Sequence, residues 1–542
     1  MIRGVDKMQR FWCVVVAVAV VVTEAEAKAF DQVYDKDLHI WPMPKSATYG
    51  ELDQKAYISN DFELRRGGGS KYSDKDGILR HGFTRFLDVV RMGHAVDSSF
   101  TAPTDSHLLK GINFVISSPN DELQYGVDES YKLSIPAPGG EPYAQLEAQT
   151  VYGALHGLQT FSQICQFDFV TRVIEIRKVP WSIMDQPRFS YRGLLIDTGR
   201  HYLHLVTIKK IIDSMAYAKM NVLHWHTVDS QSFPLETTSY PALWKGAYSK
   251  LERYTMADAA EIVSYAQRRG INVMAEIDLP GHSRSWGTGY PDLWPSENCP
   301  EPLDISKEHT FELINGTISD FSKVFKFKFL HLGGDEVDTS CWTNTPHVRK
   351  WLEEKGMNEL QAYQHFVLRV QNIALSHGYE VVNWQETFNK FGDKLNKKTV
   401  VHNWLEGVAA QRVVAAGLRC IVSNMDAWYL DFVKTPWQNF YANEPLNNIK
   451  DPKLQKLVLG GEVCMWGERV DGSDIEQTVW PRAAAASERL WTPLEKLAKD
   501  PNQVTERLEY FRFLLNQRGV AAAPLDGLGR AVPEKPGSCF VQ

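Results

Sequence analysis

Phe329-Leu330-His331-Leu332-Gly333-Gly334-Asp335-Glu336 is an apolar run that stops at two glycines and then presents two adjacent carboxylates. A strand alternates its side chains between two faces, so Asp335 and Glu336 can serve one ligand only where the backbone bends beside them. Gly333 and Gly334 permit that bend and a close approach by a ligand. An isolated Asp-Glu pair after a strand also reads as a solvated acidic turn. The sequence on either side decides between the two.

From Tyr191 onward the chain alternates strand and helix. Eight runs read as strands: 192–197, 222–228, 271–278, 329–333, 379–384, 399–404, 420–424 and 457–466. Between them, Ile208, Ile211, Ile212, Met215 and Ala216 form one stripe of an amphipathic helix. Thr255-x-x-Asp258 opens another in capping-box form, with Gly270 as its stop. Eight strands with intervening helices over roughly 300 residues meet the requirement of a (β/α)8 barrel. The rival, a doubly wound open sheet, lacks support because no Gly-rich phosphate loop follows any strand. Upstream, Ile112–Ile116 reads as a strand and Val151, Ala154, Leu155 and Leu158 as a helical stripe, which suggests a small α+β unit. Pro180 and Pro187 bracket a linker. The expected fold class is therefore α/β: a (β/α)8 TIM barrel catalytic domain with a C-terminal extension, residues 186–542, preceded by a smaller α+β domain, residues 28–185.

Catalytic groups of such barrels gather at the C-terminal ends of the strands. Here every end except the sixth carries a carboxylate: Asp197 with Arg200, Asp229, Asp278 with His282, Asp335 with Glu336, Glu386 beside Trp384, Asp431 beside Trp428 and Tyr429, and Glu468 beside Trp466. The sixth carries Trp404. Capping acids and core aromatics explain any one of these, but the collection less well.

Composition narrows the setting. The 542 residues carry a net charge of −7 and no basic block, which argues against nucleic acid as the main partner. Phe11 to Val22 is apolar, follows Arg3, Lys7 and Arg10, and leads to Ala25-Glu26-Ala27, the form of a secretory signal peptide over residues 1–27. No later run reaches the ~20 apolar residues of a membrane span. A luminal or extracellular destination follows, with the six cysteines beyond Cys13 available for disulfides and Asn315-Gly316-Thr317 as an N-glycosylation sequon. The pairing of Cys165, Cys420, Cys464 and Cys539 is not readable from the sequence.

A pocket walled by Trp and Tyr, with a few carboxylates and an Arg, suits a sugar: rings cover its apolar face and polar groups meet its hydroxyl rim. Glycosidic cleavage needs a proton for the leaving oxygen and stabilisation of positive charge at the anomeric carbon. Sequence neighbours are poorly placed to flank a bond as acid and nucleophile, so a nucleophile other than Asp335 is attractive.

Over nearly the whole chain beyond the signal, the sequence resembles the β-N-acetylhexosaminidases of glycoside hydrolase family 20, with wording similar to the plant members. The resemblance rests on Arg192-Gly-Leu-Leu-Ile-Asp-Thr-Gly-Arg200-His-Tyr, His224-Trp-His-Thr-Val-Asp229, Glu276-Ile-Asp278-Leu-Pro-Gly-His282, His331-Leu-Gly-Gly-Asp335-Glu336, Asn383-Trp384-Gln-Glu, Trp428-Tyr429-Leu-Asp431 and Cys464-Met-Trp466-Gly-Glu468. It implies substrate-assisted retaining hydrolysis of terminal β-linked N-acetylhexosamine, in which the 2-acetamido oxygen attacks the anomeric carbon. On that pattern Asp335 orients the acetamido N–H, Tyr429 bonds its oxygen, and Glu336 is the acid and then the base. Trp384, Trp404 and Trp466 box the sugar. Arg200, Asp431 and Glu468 hold hydroxyls, and Asp229 and His282 support Glu336. The resemblance also implies a Cys299–Cys341 disulfide, no cofactor and a possible homodimer. The position of a further family half-cystine holds Phe513. Phe432 stands where acidic-glycan-reading relatives have Arg, which favours neutral GlcNAc or GalNAc. An apolar wall and Asp335 are expected to raise the pKa of Glu336, giving an acidic optimum suited to a vacuolar or lysosome-like lumen.

Two other readings remain. His224-x-His226 with Asp229 could begin a metal site, although strict alternation puts Asp229 on the face of Trp225. A sugar-binding barrel without catalysis is the other, against which the intact Asp335-Glu336 pair speaks.

Overall fold

The computed structural model describes residues 38–91, 107–169, 171–405 and 409–525. The segment 1–27 expected to be a signal peptide, Cys13 within it, and Cys539 lie outside them.

Among the described residues, sixteen strands form two sheets. The first contains β1 (Ser46–Thr48), β2 (Lys55–Arg66), β3 (Leu108–Ile116), β4 (Tyr131–Ile135), β5 (Tyr143–Ala148), β6 (Cys165–Phe167), β7 (Ile174–Arg177) and β8 (Trp181–Asp185). Their order is β1-β8-β4-β5-β3-β2-β7-β6. Helices Ile78–Val90 and Val151–Ile164 pack on it, the second started by Thr150, whose hydroxyl accepts from Gly153 N. The stripe of Val151, Ala154, Leu155 and Leu158 is buried in that sheet's own core.

The second sheet is a closed barrel of β9 (Tyr191–Asp197), β10 (Val222–Val228), β11 (Asn272–Ile277), β12 (Phe329–His331), β13 (Glu380–Trp384), β14 (Val400–Asn403), β15 (Arg419–Val422) and β16 (Val458–Met465). All eight expected strands are present, each pairing in parallel with its sequence neighbour, and β16 closes on β9. The helix Met256–Gln267 opens with the full Thr255/Asp258 capping box.

Alternation along the strands layers the barrel interior. Leu223 and Trp225 of β10 point outward into the main core, whereas Val222, His224 and His226 fill successive interior levels. Val222 joins Tyr191, Met274, Phe329, Val382 and Ile421 in an apolar plug. His224 lies in a polar layer, fully buried with Glu276, His331, His402 and Glu462. Above it Trp384, Tyr429 and Cys464 pack with Trp404 and Trp466. A small, apolar N-terminal end and a polar, aromatic C-terminal end are what inward-pointing layers require when one end must receive a ligand.

No helix among the described residues is long and apolar enough to cross a membrane. Cys299 and Cys341 are disulfide-bonded, with Cα atoms 5.6 Å apart. Cys165, Cys420 and Cys464 are buried free thiols.

Candidate active site

Strand β12 ends at His331, and the next residues turn through the left-handed region: Gly333 at φ 60°, Gly334 at 97° and Glu336 at 48°. This is the bend that the Gly-Gly pair foreshadows. A Cβ on Gly333 would overlap the Asp278 carboxylate, and Gly334 N donates to Asp278 Oδ1 at 2.8 Å. Tyr363, on the helix Glu359–Ser376, donates its hydroxyl to Gly334 O and clamps the turn from behind.

The turn sends the two carboxylates different ways. Asp335 is 9 % exposed and hydrogen-bonds Asp278. Burial first, and then the charge of Asp335, push the Asp278 carboxyl far above the usual carboxylate range. Asp278 therefore carries the proton of that bond and donates it to Asp335. The Glu336 side chain is 62 % exposed, and its Oε2 lies 3.5 Å from His282 Nε2. That hydrogen bond, helped by Arg200 and opposed by partial burial, lowers the Glu336 pKa. The expectation of a raised value is thus corrected for the free protein: no apolar wall covers so exposed a carboxylate, and a cationic imidazole faces it.

His282 ties the remaining groups together. Its Nδ1 stands 3.2 Å from Asp229 Oδ1, and its Nε2 reaches toward both Glu336 and, at 3.7 Å, Asp335. Against the cost of burial, Asp278, Asp229 and Asp335 hold its pKa far above the ordinary histidine value. Asp229 in turn accepts from His226 Nε2 at 2.7 Å and Arg200 Nη2 at 2.9 Å. The pairing of β10 with β11 shifts register between His226 and Val228. This irregularity brings Asp229 back onto the His226 side, so strict alternation misjudged that contact. His224 instead faces Glu276 and Glu462.

Arg200 is less free than a hydroxyl ligand need be. Its guanidinium contacts Asp197 at 3.2 Å and Asp229, lies 3.9 Å from Glu468, and covers the Trp466 ring at 5.3 Å. Its Nε is nevertheless buried without a partner, as are Asp335 Oδ1 and Asp431 Oδ1. Buried polar atoms left unpaired cost free energy, so three of them around one opening mark a place where a polar ligand completes the bonding. Burial pushes the Asp431 carboxyl up to about 6.

Four aromatic residues bound the opening. Trp384 is fully buried, stacks on His402 at 4.2 Å and lies 5.8 Å from Trp466. Trp404 stacks on Tyr429 at 6.1 Å, and Tyr429 meets Trp466 at 6.2 Å. Trp428 does not join them: its indole donates to Phe440 O in the core. A cavity of about 930 Å³ opens beside Glu336, lined by Arg200, Tyr248, His282, Arg284, Trp294 and Glu301 among others.

Sequence reasoning named Glu386 as a strand-end residue without giving it a role. Its carboxylate accepts from Trp404 Nε1 at 3.0 Å, and burial, then Asp335, push its pKa up to about 7. Its place after Trp384 in the fifth motif was the available signal. Tyr363 had none. Three clusters bring ligand-type atoms within 4.8 Å of one another, namely His224 with Glu276 and His331, His224 with His402 and Glu462, and Asp278 with His282 and Asp335. In the first, His224 Nε2 and His331 Nδ1 lie 3.0 and 2.9 Å from the Glu276 oxygens, and His331 Nδ1 accepts from Gly333 N.

A parallel barrel with carboxylates, one Arg and an aromatic box at its C-terminal mouth defines a glycosidase-type site. The description "Glycosyl hydrolase family 20, catalytic domain" matches residues 189–494, and "beta-acetyl hexosaminidase like" matches residues 40–164. The chain belongs to glycosyl hydrolase family 20. It is 63 % identical to Beta-hexosaminidase 3 of Arabidopsis thaliana over 516 residues, which cover 95 % of this chain and 96 % of that protein. It is 50 % identical to Beta-hexosaminidase 1 of the same plant, covering 94 % and 95 %. Among solved structures, a chitobiase from Flavobacterium johnsoniae superposes with a TM-score of 0.77 at 28 % identity, covering 90 % of this chain and 73 % of that one.

Proposed function

We propose that the chain is a retaining exo-β-N-acetylhexosaminidase that removes terminal non-reducing β-linked GlcNAc or GalNAc from N-glycans, chito-oligosaccharides or other glycoconjugates by substrate-assisted catalysis. The observation that carries this reading is the set of three unpaired buried atoms, Asp335 Oδ1, Asp431 Oδ1 and Arg200 Nε, at the edge of the aromatic box. A sugar with hydroxyls at one end and an N-acetyl arm at the other complements that set.

The acetamido N–H donates to Asp335, whose charge supports the positive character that develops on the amide as its oxygen attacks the anomeric carbon. Tyr429 donates to the acetamido oxygen and fixes its line of attack. Trp384, Trp404 and Trp466 enclose the methyl group and the sugar face. Arg200, Asp431 and Glu468 take the hydroxyls at the far end. Glu336 protonates the leaving oxygen and then takes a proton from the incoming water, with Asp229 and His282 supporting it. The adjacent acids thereby act on different parts of one substrate, as their divergent directions from the turn allow. The cavity beside Glu336 suits the leaving portion of the glycan, because a proton donor stands between the two halves of the bond it cleaves.

Asp335→Asn and Glu336→Gln test these roles. Both should lose about 10²–10⁴-fold in kcat on glycosides with sugar leaving groups. Glu336→Gln should lose far less on a 2,4-dinitrophenyl glycoside, whose leaving group needs no proton. Equal losses on every leaving group would remove the acid role, and equal rates on glucosides lacking the N-acetyl group would remove the substrate-assisted mechanism.

Phe432, 41 % exposed beside Asp431, supports neutral over sulfated or sialylated sugars. The division at residues 185 and 186, a secretory route to a vacuole-like lumen or the exterior, and a homodimer belong to the same proposal. Sedimentation of the purified protein checks the last. For the sequon, Asn315 is an exposed residue on the helix Glu308–Val324, while Thr317 is fully buried. Attachment of a glycan therefore has to precede packing of that helix, and a mass decrease on enzymatic deglycosylation would verify it.

A further inference from the structure

The floor of the site holds a buried charge network that the catalytic roles above leave unused. Glu276, at the C-terminal end of β11, is fully buried, and four side chains from three other strands converge on its two oxygens. Oε1 accepts from Trp384 Nε1 at 2.8 Å and faces His331 Nδ1 at 2.9 Å. Oε2 faces His226 Nδ1 at 2.6 Å and His224 Nε2 at 3.0 Å. An indole N–H only donates, so Glu276 is an acceptor there.

His226 carries the connection upward. One of its ring nitrogens meets Glu276 and the other meets Asp229 at 2.7 Å. Two carboxylates facing the two nitrogens of one imidazole require both nitrogens to donate, which makes His226 a cation. Its other neighbours are Arg200, with Nη1 at 3.5 Å, and the Trp466 ring at 5.1 Å, with Asp197 adding negative charge. The result is an unbroken series: Trp384, Glu276, His226, Asp229, His282, Glu336.

We propose that Glu276 is a positioning residue for the proton donor: it keeps both nitrogens of His226 protonated, His226 anchors Asp229 against His282, and His282 thereby holds Glu336 in place to donate, while the same carboxylate fixes the indole of the acetamide wall. This rests on the assignment of Glu336 as the acid. The acetamide wall and the donor are then aligned by one group beneath both of them. Supporting partners of this kind typically contribute about 10–100-fold, because a small misplacement of a catalytic group is costly.

Glu276→Gln tests this in the full-length protein. The amide oxygen keeps the Trp384 bond, but the amide NH2 cannot accept from His226, which loses one proton. With a cooperative thermal melt showing a folded variant, kcat/KM on a β-linked GlcNAc disaccharide should fall about 10–100-fold, and on 2,4-dinitrophenyl N-acetyl-β-glucosaminide by less than about 3-fold. Glu276→Asp, which keeps the charge, should recover part of the loss on the disaccharide. Equal losses on both substrates, or no recovery, would reduce Glu276 to a packing role and overturn the proposal. Where the Gln variant does not fold, ¹⁵N NMR of the histidine-labelled wild-type protein at pH 8 decides. His226 and His282 should then each retain two protonated ring nitrogens, and a single protonated nitrogen on either overturns the proposal. If Glu336→Gln itself lacks leaving-group dependence, the assignment of the acid fails instead, and the two failures are distinct.

Discussion

Glu336 is the residue whose chemistry depends most on what covers it. In the free protein its exposed carboxylate faces His282, which lowers its pKa, yet a proton donor has to be protonated at the working pH. A bound glycan covers the carboxylate, excludes water and opposes ionisation, so the pKa rises in the complex. The alkaline limb of kcat, which reports the complex, should therefore lie at higher pH than the limb of kcat/KM, which reports the free enzyme. Profiles of both constants between pH 3 and 8 on an N-acetylglucosaminide check this, and coincident limbs would refute it. Asp431 is a second residue-scale case. With burial pushing its pKa up to about 6, it changes ionisation near the acid range, and its Oδ1 has no partner in the free site. Asp431→Asn should raise KM about 10–100-fold with a smaller effect on kcat, since a lost charge-assisted hydrogen bond to a bound hydroxyl costs about 1.5–3 kcal/mol.

Among the elements, the turn after β12 decides the geometry. Gly333, Gly334 and, one residue further on, Glu336 adopt positive φ, and Gly333 lies so close to Asp278 that any side chain would collide. Gly333→Ala should cost about 1–2 kcal/mol from backbone conformation alone, with the collision in addition. The displaced Asp335 and Glu336 should then lose activity out of proportion to the change in melting temperature, a comparison available from one assay and one melt. The residue types at this turn were legible beforehand: an apolar run, Gly-Gly and two acids. Its direction was not, because the clamp by Tyr363 and the contact with Asp278 come from elements 29 and 56 positions away.

At the scale of the whole molecule, the two sheets meet across buried charge. Arg192 of β9 makes two hydrogen bonds to Glu129, at 2.9 and 2.7 Å, and His156 and Asn221 add two more. Beside them Lys219 bonds Asp185 at 2.8 Å and Tyr131 at 3.0 Å, under Trp491. Against the cost of burial, Arg192 and His156 lower the Glu129 pKa to about 2. A depressed carboxylate pKa stabilises the fold at pH values above the unfolded value near 4.5, and that contribution is lost as the pH falls toward about 2. Glu129→Gln should destabilise the protein by about 3–5 kcal/mol near neutrality, because it leaves Arg192 buried and uncompensated. The difference in melting temperature from wild type should shrink as the pH falls from 4.5 toward 2. A gap that stays constant with pH would contradict the assigned charge.

Strand positions, the closed barrel and the residue types at its mouth were all determined by the sequence, because alternation, helical stripes and glycine punctuation act between near neighbours. Its eight runs became eight strands with shifts of one or two residues at their ends. Tertiary structure alone decided ionisation and facing. Trp428 turned into the core while Trp466 joined the box, Asp229 swung back onto His226 through a register shift, and Glu336 lost rather than gained proton affinity. Those outcomes depend on distances between groups far apart in the chain, such as His226 to Glu276 across 50 positions and Trp384 to Glu276 across 108. Coulombic and hydrogen-bond energies follow such distances, and no local pattern encodes them.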